Sequence, residues 1–334
     1  MNSIRAIPKR YFSPLLLLLV LILLATMPQY VPPYIVILFI SIFMYVILTV
    51  SWNAFCGPTG YISLATAAFF GIGVYTSAIL QALPLPVVII IAGLVSLLLS
   101  FLVGWATLRL RGMYFAIFTF GLSELFRYIM KWYEVNITRT VGRWLPMQND
   151  ATVYYYMLGI LFVTLLTAYL IRRSRFGLAL QSIGQAEEAS AHVGINVNMV
   201  KIVTFAITCF FMGAAGTVMA TRWSYIDPAL AFNPSVTFFT VIMVLVGGWK
   251  STLWGPIVGA TLLTVLSDTV LAKLPNLTMF LFGAILVVVI MFLPNGLMGI
   301  LKREKQGSNR TTGIKLGGGK GFTIPKVLKI RGEK

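Results

Sequence analysis

Nine acidic side chains and a single histidine, His192, make up the acid–base repertoire of this 334-residue chain. One histidine cannot build a His-based metal cluster and leaves few ways to assemble a catalytic triad. The two cysteines, Cys56 and Cys209, lie far apart in apolar sequence, where they read as packing residues rather than a disulfide or a metal pair. Gly317-Gly318-Gly319-Lys320 superficially suggests a phosphate loop. A true one needs glycine five residues before the Gly-Lys pair and Ser or Thr after it, and those positions hold Ile314 and Gly321. No nucleotide, metal or other cofactor is expected on this chain.

The charges that stand out are those in strongly apolar sequence: Glu124 with Arg127, and Asp268. An ionised group at the centre of a membrane costs about 2.5–3.5 kcal/mol on insertion scales, so each needs a reason to be there. Glu124 and Arg127 are three residues apart, on one face of a helix, and can pair. Three roles fit that spacing: an ion pair that locks helix packing, a lining or gate of a translocation path, or a proton-coupling site.

The elements that position these residues follow from composition. Hydrophobic residues make up 58% of the chain and charged ones 10%, against about 25% charged in soluble domains. Apolar runs of about 20 residues recur, long enough to cross the hydrocarbon as helices. They lack the alternation of barrel strands. The expected fold is an all-α polytopic membrane bundle of ten helices, at roughly 14–31, 33–54, 59–82, 85–108, 112–130, 152–171, 202–221, 235–249, 252–272 and 277–300. The first run has basic flanks but no A-x-A-like cleavage site, and reads as an uncleaved anchor. The run at 235–249 is short and either spans or re-enters.

Basic residues set the orientation. Arg5, Lys9, Arg10, Arg109, Arg111, Arg172, Arg173, Arg175, Lys201, Lys250 and those of the tail put twenty on one side. Lys131, Arg139, Arg143, Arg222 and Lys273 put five on the other. Both termini are therefore expected in the cytoplasm, and the net charge of +17 points to anionic lipid rather than nucleic acid. The chain divides into a cytoplasmic N-terminus (1–13), a permease domain (14–301) with a half-polar cytoplasmic loop at 172–201, and a basic tail (302–334) expected to be disordered.

Two glycine clusters interrupt the apolar pattern. Gly57, Pro58, Gly60, Gly71 and Gly73 surround the start of the third run, and Gly247, Gly248, Gly255, Pro256 and Gly259 join the eighth to the ninth. They mark either broken helices beside a substrate path or close packing through small residues. The 172–201 loop carries Glu187, Glu188, Ala189, Ser190 and Gly194, a short helix of small residues ended by glycine, suited to docking in a partner's groove.

Glu188-Ala189-Ser190-x-x-x-Gly194 resembles the EAA-x-x-x-G coupling loop of ABC importer permeases, with Ser190 in place of the second alanine. The stretch from Gly60 to Thr76, GYISLATAAFFGIGVYT, is similar to the "G-x-x-SLG-x-AAFFGIGAYT" block of branched-chain amino-acid permeases. Leu108 to Ala116, LRLRGMYFA, resembles their "LRLRG-x-YFA" entry to the helix that carries Glu124 and Arg127. Ser174-Arg175-Phe176-Gly177, Val193-Gly194-Ile195, and then Gly247-Gly248 with Gly255-Pro256-x-x-Gly259 follow in that family's order, which resembles its M-type members more than its H-type ones. Urea permeases share many of these blocks. The resemblance implies a multi-pass pore subunit of a bacterial inner membrane importer for Leu, Ile and Val, or for urea or another small solute. It implies as partners an H-type permease, two cytoplasmic ATPases that hold ATP and Mg, and an extracytoplasmic binding protein. The rival from a different class is an ion-coupled secondary carrier.

Overall fold

The computed structural model describes residues 24–108, 110, 112–249 and 253–269, with 283, 284, 287, 296 and 297. The expected segment at 277–300, the tail, most of the segment at 14–31, and Arg109, Arg111 and Lys250 lie outside the described residues.

Helix α1 (Pro33–Thr59) starts with proline at its first position and stops at Gly60, which adopts a left-handed φ of 76°. Helix α2 (Thr66–Ile79) is only 14 residues long. Helix α3 (Leu85–Thr107) begins after Pro84 and matches the expected run almost residue for residue. Helix α4 (Met113–Tyr133) carries Glu124 and Arg127 and closes in a π-helical turn, Glu134–Thr138.

Helix α5 (Asp150–Arg173) is capped by Asn149. Acidic Asp150 lies in its first turn and Arg172 and Arg173 in its last, as the helix dipole favours. Helices α6 (Arg175–Gln185) and α7 (Glu187–His192) form the half-polar loop. Helix α8 (Val197–Ala220) is capped by Asn196. Helices α9 (Pro228–Ala231), α10 (Pro234–Gly247) and α11 (Trp254–Thr269) complete the described chain. Among the described residues, five stretches are long and apolar enough to cross a membrane: α1, α3, α5, α8 and the joined pair α9–α10. The protein is a multi-pass, all-helical membrane protein.

Helix α8 forms the core, packed on α1, α2 and α3, while α1 also packs on α5 and α11. Its Gly213–Thr217 stretch allows backbone-close approach: a Cβ on Gly73 would run into the Gly213 carbonyl, and one on Gly216 into the Phe70 carbonyl. At one end, strands β1 (Arg143–Trp144) and β2 (Tyr225–Ile226) pair antiparallel, Arg143 opposite Ile226. Helices α6 and α7 lie at the other. Arg172, Arg173, Arg175 and Lys201 thus collect at one end, and Arg143 and Arg222 at the opposite one, the same separation that the charge count predicts.

The short run at 235–249 is one leg of a single broken crossing. Phe232, between α9 and α10, stacks on Tyr75 of α2 (5.7 Å). Thr237 then accepts the Ala67 N–H (2.9 Å) near the start of α2, and Trp249 reaches Asn53 near the far end of α1. The chain moves steadily from the β1–β2 end to the α6–α7 end and does not turn back.

Candidate functional site

The α6–α7 end is built against the end of α1. Gly184 of α6 sits so close to the Pro58 carbonyl that a Cβ there would collide with it. Ser190 of α7 is buried, with its hydroxyl 2.8 Å from Ser182 and 2.9 Å from the Ala186 carbonyl it donates to. The helix stops in a two-bond Schellman cap, in which Ile195 N–H reaches Ser190 O (3.1 Å) and Gly194 N–H reaches Ala191 O (3.0 Å). Gly194 takes φ +90° for this turn, with open space around it, so its function in the fold is to end α7. Glu188, Ala189, Ala191, His192 and Val193 project outward, Val193 with 82% of its surface exposed. The arrangement displays a small, mostly uncharged surface on a helix held from behind.

Glu187 turns the other way. Its carboxylate accepts from Lys201 Nζ (2.8 Å) and from Tyr61 Oη (2.6 Å). Lys201 also donates to Tyr61 Oη (2.9 Å), with its ammonium 4.1 Å from the ring centre. Lys201 counts as a loop charge in the sequence, yet lies inside α8 with its side chain wholly buried. Tyr61 stands edge-on to Phe115 at the start of α4 (5.6 Å), and Phe115 packs on Phe55 and Phe205.

Tyr61 opens the unwound stretch 60–65 between α1 and α2. Such backbone survives within a membrane only where its polar groups find partners inside the protein. Trp52 Nε1 donates to the Ser63 carbonyl (2.7 Å). Thr119 of α4 accepts the Leu64 N–H (2.9 Å), and Ser123, one turn on, donates to the Leu64 carbonyl (3.4 Å). Sequence reasoning missed Tyr61, Thr119, Ser123 and Lys201, because hydroxyls and a lone lysine in apolar runs carry no periodic signal. A neighbouring polar knot joins α1, α5 and the end of α10. With its amide turned so that the nitrogen faces the Trp249 carbonyl, the orientation that satisfies both ends, buried Asn53 donates to that carbonyl (2.7 Å) and accepts from Arg172 (2.9 Å).

The flagged glycines divide by conformation. Gly60 (φ 76°) and Gly248 (φ 106°) sit at helix ends where the chain turns. Gly71, Gly73 and Gly247 lie within helices and admit close neighbours: the Phe232 ring, the Gly213 carbonyl and the Gly255 carbonyl in turn. Gly57, also helical, passes beside the Trp249 carbonyl.

Glu124 and Arg127 form an ion pair within α4 (2.5 Å), with 26% and 29% of their side-chain surfaces exposed on this chain. The Arg127 guanidinium lies over Tyr128 (5.1 Å). Asp268 accepts a hydrogen bond from Tyr34, which ties the end of α11 to the start of α1. At the β1–β2 end lies the most enclosed carboxylate among the described residues, one that the sequence reading passed over. Glu134 is 1% exposed and takes bonds from Tyr75 Oη (3.1 Å) and Gly142 N–H (2.9 Å), with Arg143 Nε at 4.0 Å.

A multi-pass bundle with an unwound segment satisfied from within suits membrane transport. The chain belongs to the family of branched-chain amino acid transport system permease components, whose model matches residues 34–290. It is 26% identical over 301 residues to the high-affinity branched-chain amino acid transport system permease protein LivM of Escherichia coli, covering 80% of this chain and 70% of that one. The LivM protein of Salmonella typhimurium is 26% identical over 78% of this chain and 69% of its own. The ribose import permease protein RbsC of Haemophilus influenzae is 27% identical over 30% of this chain and 32% of its own. No solved structure matches.

Proposed function

We propose that this chain is one of two different pore subunits of an ATP-driven importer for leucine, isoleucine and valine in a bacterial inner membrane. The likeness to LivM, running over 80% of the chain, carries the reading, whereas the ribose permease resembles less than a third of it. Both termini and the α6–α7 loop face the cytoplasm, the permease body spans 14–301, and 302–334 is a lipid-directed tail. Two ATPases dock on the outward side chains of α7 and hold ATP and Mg. An H-type permease supplies the other half of the path, and a binding protein delivers the solute at the β1–β2 end. The chain itself catalyses nothing. It contributes half a path and one coupling helix.

The reading is tested by uptake of tritiated leucine in cells that lack the chain and in cells that regain it. Leucine uptake should vanish on deletion, return on complementation and require ATP. If urea uptake is lost instead, the substrate is wrong; if uptake follows an ion gradient without ATP, the chain is a secondary carrier.

A further inference from the structure

We propose that Lys201, Glu187 and Tyr61 form the link through which movement of α7 is passed to the unwound segment 60–65. The inference rests on α7 being the helix on which the ATPases dock.

Each member belongs to a different part. Glu187 is the first residue of α7, so its carboxylate travels with that helix. Tyr61 directly follows the glycine that ends α1, so its phenol travels with the unwound stretch. Lys201 is rooted in α8, the central helix. The other ties of α7 and α6 described above run elsewhere: Ser190 holds Ser182, and Gly184 rests on Pro58, within the last turn of α1. The cluster alone among these spans from the docking helix to the break.

Its chemistry makes it hard to part. An ammonium with no exposed surface must keep an anion beside it, because an isolated buried charge is far less stable than a paired one. Lys201 and Glu187 therefore stay together when α7 shifts. The Tyr61 hydroxyl donates to one partner and accepts from the other, so both of its polar roles are engaged and it is drawn along. The ring, edge-on to Phe115, carries the displacement to the start of α4, whose Thr119 and Ser123 hold Leu64. All three are positioning residues. None needs to touch the solute.

The experiment uses the complete transporter in lipid vesicles, with this chain, the second permease, both ATPases and the binding protein. A cysteine replaces Ile62, which is 44% exposed on the unwound stretch. Its maleimide labelling rate is compared between the nucleotide-free and vanadate-trapped states. With the link intact, the rate should change on the order of tenfold, within the usual span of coupling between distant sites. Lys201→Met should erase that response while the ATPases still copurify, and raise ATP hydrolysed per tritiated leucine imported by a similar factor. Tyr61→Phe keeps the ring and should reduce the response in part. It decides the matter if Lys201→Met does not assemble. A full nucleotide response in these variants, or none in the parent, overturns the link. Failure of the docking reading looks different: Val193→Glu would then leave ATPase copurification untouched.

Discussion

Two of the ion pairs among the described residues are built in opposite ways. Glu187 and Lys201 come from different helices, enclose a tyrosine from a third element, and leave the lysine wholly buried. Glu124 and Arg127 sit on one helix, three residues apart, each with roughly a quarter of its surface open. A pair between elements fixes how those elements lie. A pair within one helix moves as that helix moves and mainly neutralises charge. The difference teaches that proximity in sequence, the feature that makes Glu124 and Arg127 conspicuous, leaves such a pair tying no two elements together.

The comparison breaks first at Glu187. Glu187→Ala leaves Lys201 buried without its carboxylate, and losing one member of a buried pair costs about 3–5 kcal/mol. Because Glu187 is itself 23% exposed, the low end of that range is expected. Thermal and denaturant unfolding in detergent should show the loss, with the corresponding Glu124→Ala change much smaller. Equal losses at the two sites would erase the distinction.

Thr119 sharpens the comparison, since it lies on α4 only five residues before Glu124 but serves the unwound segment. Thr119→Val conserves shape and removes the acceptor of the Leu64 N–H, and a buried donor left unsatisfied costs about 1–3 kcal/mol. Faster hydrogen exchange at Leu64 than at the neighbouring helical amides is the expected local sign. Unchanged exchange would mean that the unwound backbone is held by its other partners.

Much of this architecture was legible from composition because a membrane imposes it. Leu85–Thr107 reads off the sequence since an apolar run bounded by Pro84 and a polar end has one stable state in lipid. The start of α2 did not. Ile62, Leu64 and Ala65 are as apolar as a helix, and only the satisfied hydrogen bonds to Trp52, Thr119 and Ser123 reveal that they are unwound. The glycine clusters were visible but not divisible, because a glycine that turns the chain and one that admits a neighbour look identical until φ is known. Lys201 was visible and misplaced. A lysine ahead of an apolar run reads as loop, and its partners lie 14 and 140 residues away. Glu134 likewise gains its meaning from Tyr75, 59 residues earlier in the chain.

The smallest effect is expected at Glu124. If the pair with Arg127 is only structural within α4, Glu124→Gln should weaken the bundle modestly, by about 1 kcal/mol, because Arg127 loses its counter-charge but a neutral amide still accepts from the guanidinium. Arg127 also keeps its place over Tyr128. Transport rate and its dependence on pH should then match the parent. If Glu124 lines the path or passes a proton, the same change alters rate or pH response at constant protein level, since the amide does not ionise. Uptake in reconstituted vesicles from about pH 5.5 to 8 separates the two. A parental profile that flattens in Glu124→Gln would make this pair the working one and reverse the comparison. Superimposable profiles with strict ATP dependence would leave the working role with the pair that joins helices.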